Sequence, residues 1–333
     1  VTLVILPKWL GELVMSAGLL SALDARRPRT AIHVAVPAHL ADLAGLLPGV
    51  DAVHAHTPDT CRGPLGALRL GRALGRRVRY DTCYCLPRSF RTAIIAYGTG
   101  ATERVGYRQE CRSFLLTRAE RRVPGVHRAI ELARLAPSSS PTPSVHVHLA
   151  RPPASAVQAL VEGCERPAVA INLHSEAQAR RMSLDKWARI AGAIAPGLAR
   201  TIVLVGSVHD VARTEAFLER LPPTIRVANV CGRTTAGQLA GVLAACDVVL
   251  SSDSGPAHLA NAIGVPTVVL FGAGDERTTV PFNPAGRHVL RLEGLPCAPC
   301  VQNRCRLGRP VCLDDLDESA VVGAVAAAIG ART

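Results

Sequence analysis

The segment Asp247-Val248-Val249-Leu250-Ser251-Ser252-Asp253-Ser254-Gly255-Pro256-Ala257-His258 ends an apolar run on small polar residues and then meets a proline. Proline is tolerated in the first turn of a helix, so the pattern predicts a strand, a tight turn and a helix beginning at Pro256. A helix start presents backbone N–H groups and the positive end of the helix dipole, and together these bind phosphate. Asp253 and Ser254 bring polar groups to that point, Gly255 lets a ligand approach the backbone, and His258 falls on the first turn. The same residues also suit an ordinary capped helix, with Asp253 or Ser254 as the cap. A second set is Cys297, Cys300, Cys305 and Cys312. Four thiolates at this spacing can close a structural zinc site; the same thiols can also stay reduced or work as a redox pair.

These groups need a scaffold, and the hydrophobic pattern supplies one. Short unalternating apolar runs at Leu3–Leu6, Ala31–Val36, around Val53, and at Ala168–Leu173, Thr201–Gly206, Val248–Ser251 and Thr267–Phe271 suit strands covered on both faces. They alternate with helical patterns at Leu10–Arg26, His39–Leu47, Leu184–Ala195, Val211–Leu221, Thr235–Ala245, Pro256–Ile263 and Asp317–Ile329, which predicts an α/β chain with parallel sheets. The Pro/Ser stretch Ala136–Ser144 cannot hold a helix and sets a domain boundary, giving domains 1–150 and 151–333; a strand is expected over Val145–Leu149. In such sheets ligands bind beyond the carboxyl ends of the strands.

Composition narrows the function classes. The 333 residues are 48% apolar, enough for two cores. The formal charge is +12, and Lys8 and Lys186 are the only lysines among 38 basic residues. Arginine grips phosphate through a rigid fork, so an anionic partner fits, as does a general arginine bias. No zinc-finger spacing or interleaving of basic and aromatic residues points to nucleic acid. No apolar run reaches the length of a membrane span, and the opening run lacks signal-peptide flanks. Eleven cysteines, an odd and mostly scattered set, suit a reducing cytoplasm.

Four segments in order carry a family resemblance: Val4-Ile5-Leu6-Pro7-Lys8-Trp9-Leu10-Gly11-Glu12, Leu86-Pro87-Arg88-Ser89-Phe90-Arg91-Thr92-Ala93, Arg104-Val105-Gly106-Tyr107-Arg108, and the run from Asp253 through Ala262, Gly264, Pro266 and Thr267 to Gly272. Together they resemble the bacterial heptosyltransferases, glycosyltransferase family nine, and are closest to the type II branch. The resemblance implies a GT-B fold of two Rossmann-like domains facing across a cleft. The N-terminal domain binds acceptor, the C-terminal domain binds nucleotide sugar, and the last helix packs back on the N-terminal domain. It implies inverting, metal-independent transfer of heptose from ADP-heptose to the phosphorylated lipopolysaccharide inner core. No cofactor is required, and the enzyme sits in the cytoplasm, peripheral at the cytoplasmic face of the inner membrane.

The resemblance also assigns residues. Glu12 stands where the family has an aspartate proposed as general base; its stem is one methylene longer. Arg180 replaces a lysine that contacts the donor phosphates, with Arg181 beside it and Met182 in place of a nearby tryptophan. Asp253, Ser254, Gly255 and His258 complete the donor-phosphate set. Lys8, Arg88 and Arg91 are assigned to the acceptor, with Arg104, Arg108 and Arg112 as further anion candidates. The alternatives are another sugar or acceptor, a nucleotide-sugar epimerase, or a non-catalytic binder on the same fold.

Overall fold

In the computed structural model, residues 1–26, 30–137, 155 and 157–331 are described. The chain divides into two compact units, Val1–Ala150 and Arg151–Thr333. The Pro/Ser stretch beyond Pro137 and the strand expected over Val145–Leu149 lie outside the described residues.

The first unit is built on β1 (Thr2–Ile5), β2 (Ile32–Pro37), β3 (Val50–His56), β4 (Thr82–Cys85), β5 (Glu103–Tyr107) and β6 (Arg118–Glu120). All pair in parallel, in the order β3-β2-β1-β4-β5-β6. β1 is buried along its whole length, as expected of a central strand with helices on both faces. The order reverses between β1 and β4, where Ile5 lies opposite Cys85. Connections that leave two neighbouring strands in opposite directions open a crevice at their carboxyl ends, the usual ligand position in such sheets.

The second unit repeats the plan with β7 (Ala168–Asn172), β8 (Thr201–Leu204), β9 (Val227–Asn229), β10 (Val248–Ser252), β11 (Thr267–Phe271) and β12 (Arg287–Arg291), in the order β12-β11-β10-β7-β8-β9. Here the reversal falls between β7 and β10, with Asn172 opposite Ser251. The core joins Trp187, Ile190, Phe217 and Met182 to the sheet residues Ile171, Leu250 and Leu270. Each such side chain contributes roughly 1.5–3 kcal/mol when fully buried.

Two readings change. The helix foreseen over Leu10–Arg26 is two, Leu10–Met15 and Ala17–Asp24. The break is at Ser16, whose hydroxyl donates to Leu13 O at 2.5 Å and competes with the helical pattern. The edge strands β6, β9 and β12 escape sequence reading because each is only partly buried and lacks an unbroken apolar run. Along the last helix, Glu318–Gly330, three apolar residues are buried within its own unit. Val321, Val325 and Ala328 join the second unit's own core.

Candidate functional site

Both switch points carry polar groups in an otherwise apolar setting. In the second unit, β10 runs through Ser252 into Asp253, and the helix Gly255–Ala262 follows with Ser254 in extended conformation as its N-cap. Ser254 makes no side-chain cap bond. Its hydroxyl instead accepts from Asn172 Nδ2 at 2.7 Å and donates to Ser252 O at 3.1 Å. Asn172 also donates to Ser251 Oγ at 3.0 Å and to His174 O at 3.0 Å, so it fastens the ends of β7 and β10 together. The helix start therefore keeps the Gly255 N–H without a side-chain cap, the condition for holding an anion.

Arg180 reaches this point from the loop after β7, with Nη1 3.3 Å from Asp253 Oδ2. Asp253 is 2% exposed. Burial pushes its carboxyl up to about 6, and Arg180 opposes that rise. Asp253, expected at the donor phosphates, is a buried carboxylate placed as the counter-ion of Arg180. Gly274 makes room for it, because a Cβ there would collide with Asp253 Oδ2. His258 lies on the first turn and is 6% exposed.

The loop carrying Arg180 is pinned by its neighbours. Arg181 donates through Nε to Ser175 O at 2.6 Å, which turns the second arginine into a brace. Met182, in place of an aromatic residue, is fully buried in the core with Trp187 and so fills the space under the loop. The cysteine segment adds a strap. Ala179 N donates to Asn303 O at 3.0 Å, Cys305 N to Gln178 Oε1 at 3.1 Å, and Val301 N to Ala273 O at 2.8 Å.

The zinc expectation for Cys297, Cys300, Cys305 and Cys312 is not supported. Among the described residues, no three His, Cys, Asp or Glu side chains are placed to hold one metal ion. Cys305 Sγ donates to Arg309 O, and burial, reinforced by the neighbouring thiols, pushes Cys312 up to about 11.

In the first unit, β1 leads through Lys8 and Trp9 into the helix Leu10–Met15, which puts Glu12 in its first turn. Lys8 is exposed, its ammonium 4.7 Å from the Trp9 ring centroid. Arg88, in the loop after β4, is half-buried; burial and then the Arg128 and Arg122 guanidiniums lower its pKa, while Glu131 and Glu12 raise it. Glu12 and Arg88 thus share one electrostatic cluster. Arg91 points elsewhere, into a depression of about 460 Å³ lined also by Arg62, Phe90 and Ile94.

Arg112 is not an anion ligand. It is fully buried and donates to Tyr107 O at 3.0 Å and to Ser89 O at 3.1 Å, fixing the loop that carries Arg88. Arg104 and Arg108 likewise bond backbone carbonyls, Leu115 O and Ala119 O, each at 2.8 Å.

Sequence reading missed the partners of Glu12. The short helix Arg128–Ala133 brings Arg128 Nε to 3.4 Å from Glu12 Oε1 and bonds Arg128 Nη1 to Glu131. Glu131 also receives both forks of Arg122 at 3.0 Å. An arginine three residues before a glutamate looks like a solvated helix pair. Burial at 8% and 3% of the two side chains is a tertiary property that spacing does not reveal.

A family model described as glycosyltransferase family 9 (heptosyltransferase) matches residues 67–310. The lipopolysaccharide heptosyltransferase 2 of Escherichia coli is 31% identical over 314 residues, 87% of this chain and 87% of that relative. The lipooligosaccharide heptosyltransferase 2 of Haemophilus influenzae is 28% identical over 311 residues, 88% and 89% of the two chains. The solved structure of Escherichia coli ADP-heptose lipopolysaccharide heptosyltransferase II superposes with a TM-score of 0.86 at 25% identity, covering 99% of this chain and 98% of that one. With two parallel six-stranded sheets of the same kind, the chain has the GT-B fold.

Proposed function

Because the chain belongs to glycosyltransferase family 9 and is therefore a glycosyltransferase, we propose that it moves heptose from ADP-heptose to a hydroxyl of the phosphorylated lipopolysaccharide inner core, with inversion and without a catalytic metal. The observation that carries this reading is the second switch point, where Arg180 and the uncapped start of the helix Gly255–Ala262 lie together. Pro256 has no N–H and Ala257 N donates to Ser254 O, so the Gly255 N–H is the backbone donor left at this start, and its pairing with the Arg180 cation suits a diphosphate leaving group.

In one displacement, the acceptor oxygen forms its bond to the sugar C1 as the bond from C1 to the diphosphate oxygen breaks. The hydroxyl proton passes to a Glu12 carboxylate oxygen, a transfer worth about 10²–10⁴-fold. Negative charge grows on the departing ADP. Arg180 and the Gly255 N–H stabilise it without rearranging, because their positions are already fixed by Asp253 and the strand ends, and the Ser254 hydroxyl joins them by turning its proton away from Ser252 O. His258 stands on the same first turn. A cation and a helix start thus take the charge-stabilising role that a divalent metal has elsewhere.

Arg88, with Lys8 nearer the surface, serves the phosphorylated acceptor, whereas Arg91 lines a separate depression. The net charge of +12 favours approach to an anionic membrane face, where the chain acts by peripheral contact. No helix among the described residues is long and apolar enough to cross a membrane.

The test is incubation of purified protein with ADP-heptose and a heptosylated inner-core acceptor, reading ADP release and the mass of the acceptor. One ADP released per heptose gained supports the reading. A nucleotide sugar that changes configuration with no acceptor present favours an epimerase instead.

A further inference from the structure

The ion-pair cluster behind Glu12 has more structure than an acceptor site needs. Arg128 is nine-tenths buried, and its Nη1 is committed to Glu131. Glu131 is in turn gripped by both forks of Arg122, and its backbone carbonyl accepts from the Tyr107 hydroxyl at the end of β5. Arg128 is thus immobilised from the side away from Glu12. Its Nε, however, is buried with no hydrogen-bond partner among the described residues. That donor faces Glu12 Oε1 at 3.4 Å, within ion-pair range but not aligned as a hydrogen bond. A buried N–H left unmet is unfavourable, and a small torsion of the Glu12 side chain satisfies it.

From this geometry we infer that Arg128 is a positioning residue that holds the Glu12 carboxylate in line for proton transfer. The inference rests on the reading of Glu12 as the base. A glutamate has one more rotatable bond than the aspartate expected in this turn, so its carboxylate sweeps a wider volume. Misplacing a positioned group by about 1 Å can cost on the order of 100-fold in rate. Arg128 supplies the missing constraint: one oxygen of Glu12 faces its Nε, and the other stays available for the acceptor hydroxyl. The charged groups acting on Glu12 are Arg128 from the following helix, Arg88 from the loop after β4, and Glu131 behind Arg128.

The test compares the wild type with Arg128→Gln, Arg128→Lys and the double variant Arg128→Gln with Glu131→Gln, using initial rates. The double variant replaces the buried ion pair by two neutral amides and avoids leaving a lone buried charge. Expected for Arg128→Gln and for the double variant is a fall in kcat of about 10–100-fold, with KM for the donor unchanged. Arg128→Lys, which keeps the cation beside Glu12, recovers part of kcat.

A kcat within twofold of wild type in the double variant overturns the inference, and so does a loss of kcat that Arg128→Lys does not recover in any part, or one accompanied by an equal rise in the donor KM, which a merely structural role produces. A rise confined to the acceptor KM also overturns it and makes Arg128 an acceptor ligand. Glu12→Gln separates the two levels. If that variant keeps wild-type activity, the base assignment itself fails; if it is inactive while the Arg128 variants are normal, only the positioning role fails.

Discussion

The two switch points share one topology and are furnished in opposite ways. At β7/β10 the working surface is largely backbone: a helix start with no side-chain cap, one partly exposed cation, and a carboxylate at 2% exposure behind it. At β1/β4 it is a side-chain lattice in which Glu12, Arg88, Arg122, Arg128 and Glu131 share charge across three segments. The difference matches the two tasks. A departing diphosphate needs donors fixed in space, and backbone at a helix start provides one with no side-chain entropy to lose. A base needs one mobile carboxylate brought to one geometry, and only neighbouring side chains can orient it.

The strongest challenge to this division is Glu12→Gln, expected to lower kcat by about 10²–10⁴-fold while the donor KM stays put. Equal losses in donor binding measured by calorimetry would blur the two halves. Next comes Arg180→Ala, which should reduce kcat/KM for the donor by roughly 100-fold through the lost charge-assisted contacts. Arg180→Lys should recover part of that, with acceptor KM steady throughout; a change confined to the acceptor side would reverse the assignment.

Asp253 sharpens the contrast through pH. Its folded pKa of about 6 lies above the ordinary carboxylate value of 3.8. Between those values the folded chain holds a proton that the unfolded chain has lost, so stability falls as pH rises through this window and then levels off. The full effect is at most about 3 kcal/mol. Asp253→Asn should match wild type near pH 4 and be more stable at pH 7 to 8 in denaturant melts, although donor turnover suffers. An identical pH dependence in both proteins would show that Arg180 already compensates the buried charge.

The smallest effect belongs to the cysteine strap. Chelator treatment, or Cys297→Ser with Cys300→Ser, should leave turnover within twofold and shift stability by no more than about 1 kcal/mol, since these thiols are partly exposed and, among the described residues, no three ligating side chains are placed around one point. Loss of activity on chelation would restore a metal to the loop that braces Arg180.

Legibility followed the same divide. The strand, turn and proline-started helix around Ser254 were readable because backbone requirements leave local marks: small residues, a glycine and a proline at fixed offsets. So were the buried strands β1, β7, β10 and β11, with their unbroken apolar runs. Asn172 was not, since one polar residue ending an apolar strand announces no partner. Arg128 and Glu131 were hidden for a stronger reason. Their spacing is that of a surface ion pair, and only the packing of their short helix against the helices Leu10–Met15 and Ala17–Asp24 buries them. Asp253 and His258 lie at the helix start, but the depth of their burial is a tertiary property that the local pattern does not reveal.

The most direct test of the central claim, that Glu12 activates the acceptor while Arg180 and the helix start release the diphosphate, is single-turnover transfer followed by mass spectrometry of both products. Wild type should yield one ADP for each heptosylated acceptor, whereas Glu12→Gln should bind ADP-heptose as tightly and form neither product. Undiminished transfer by Glu12→Gln, or no ADP from the wild type with its acceptor present, would contradict it.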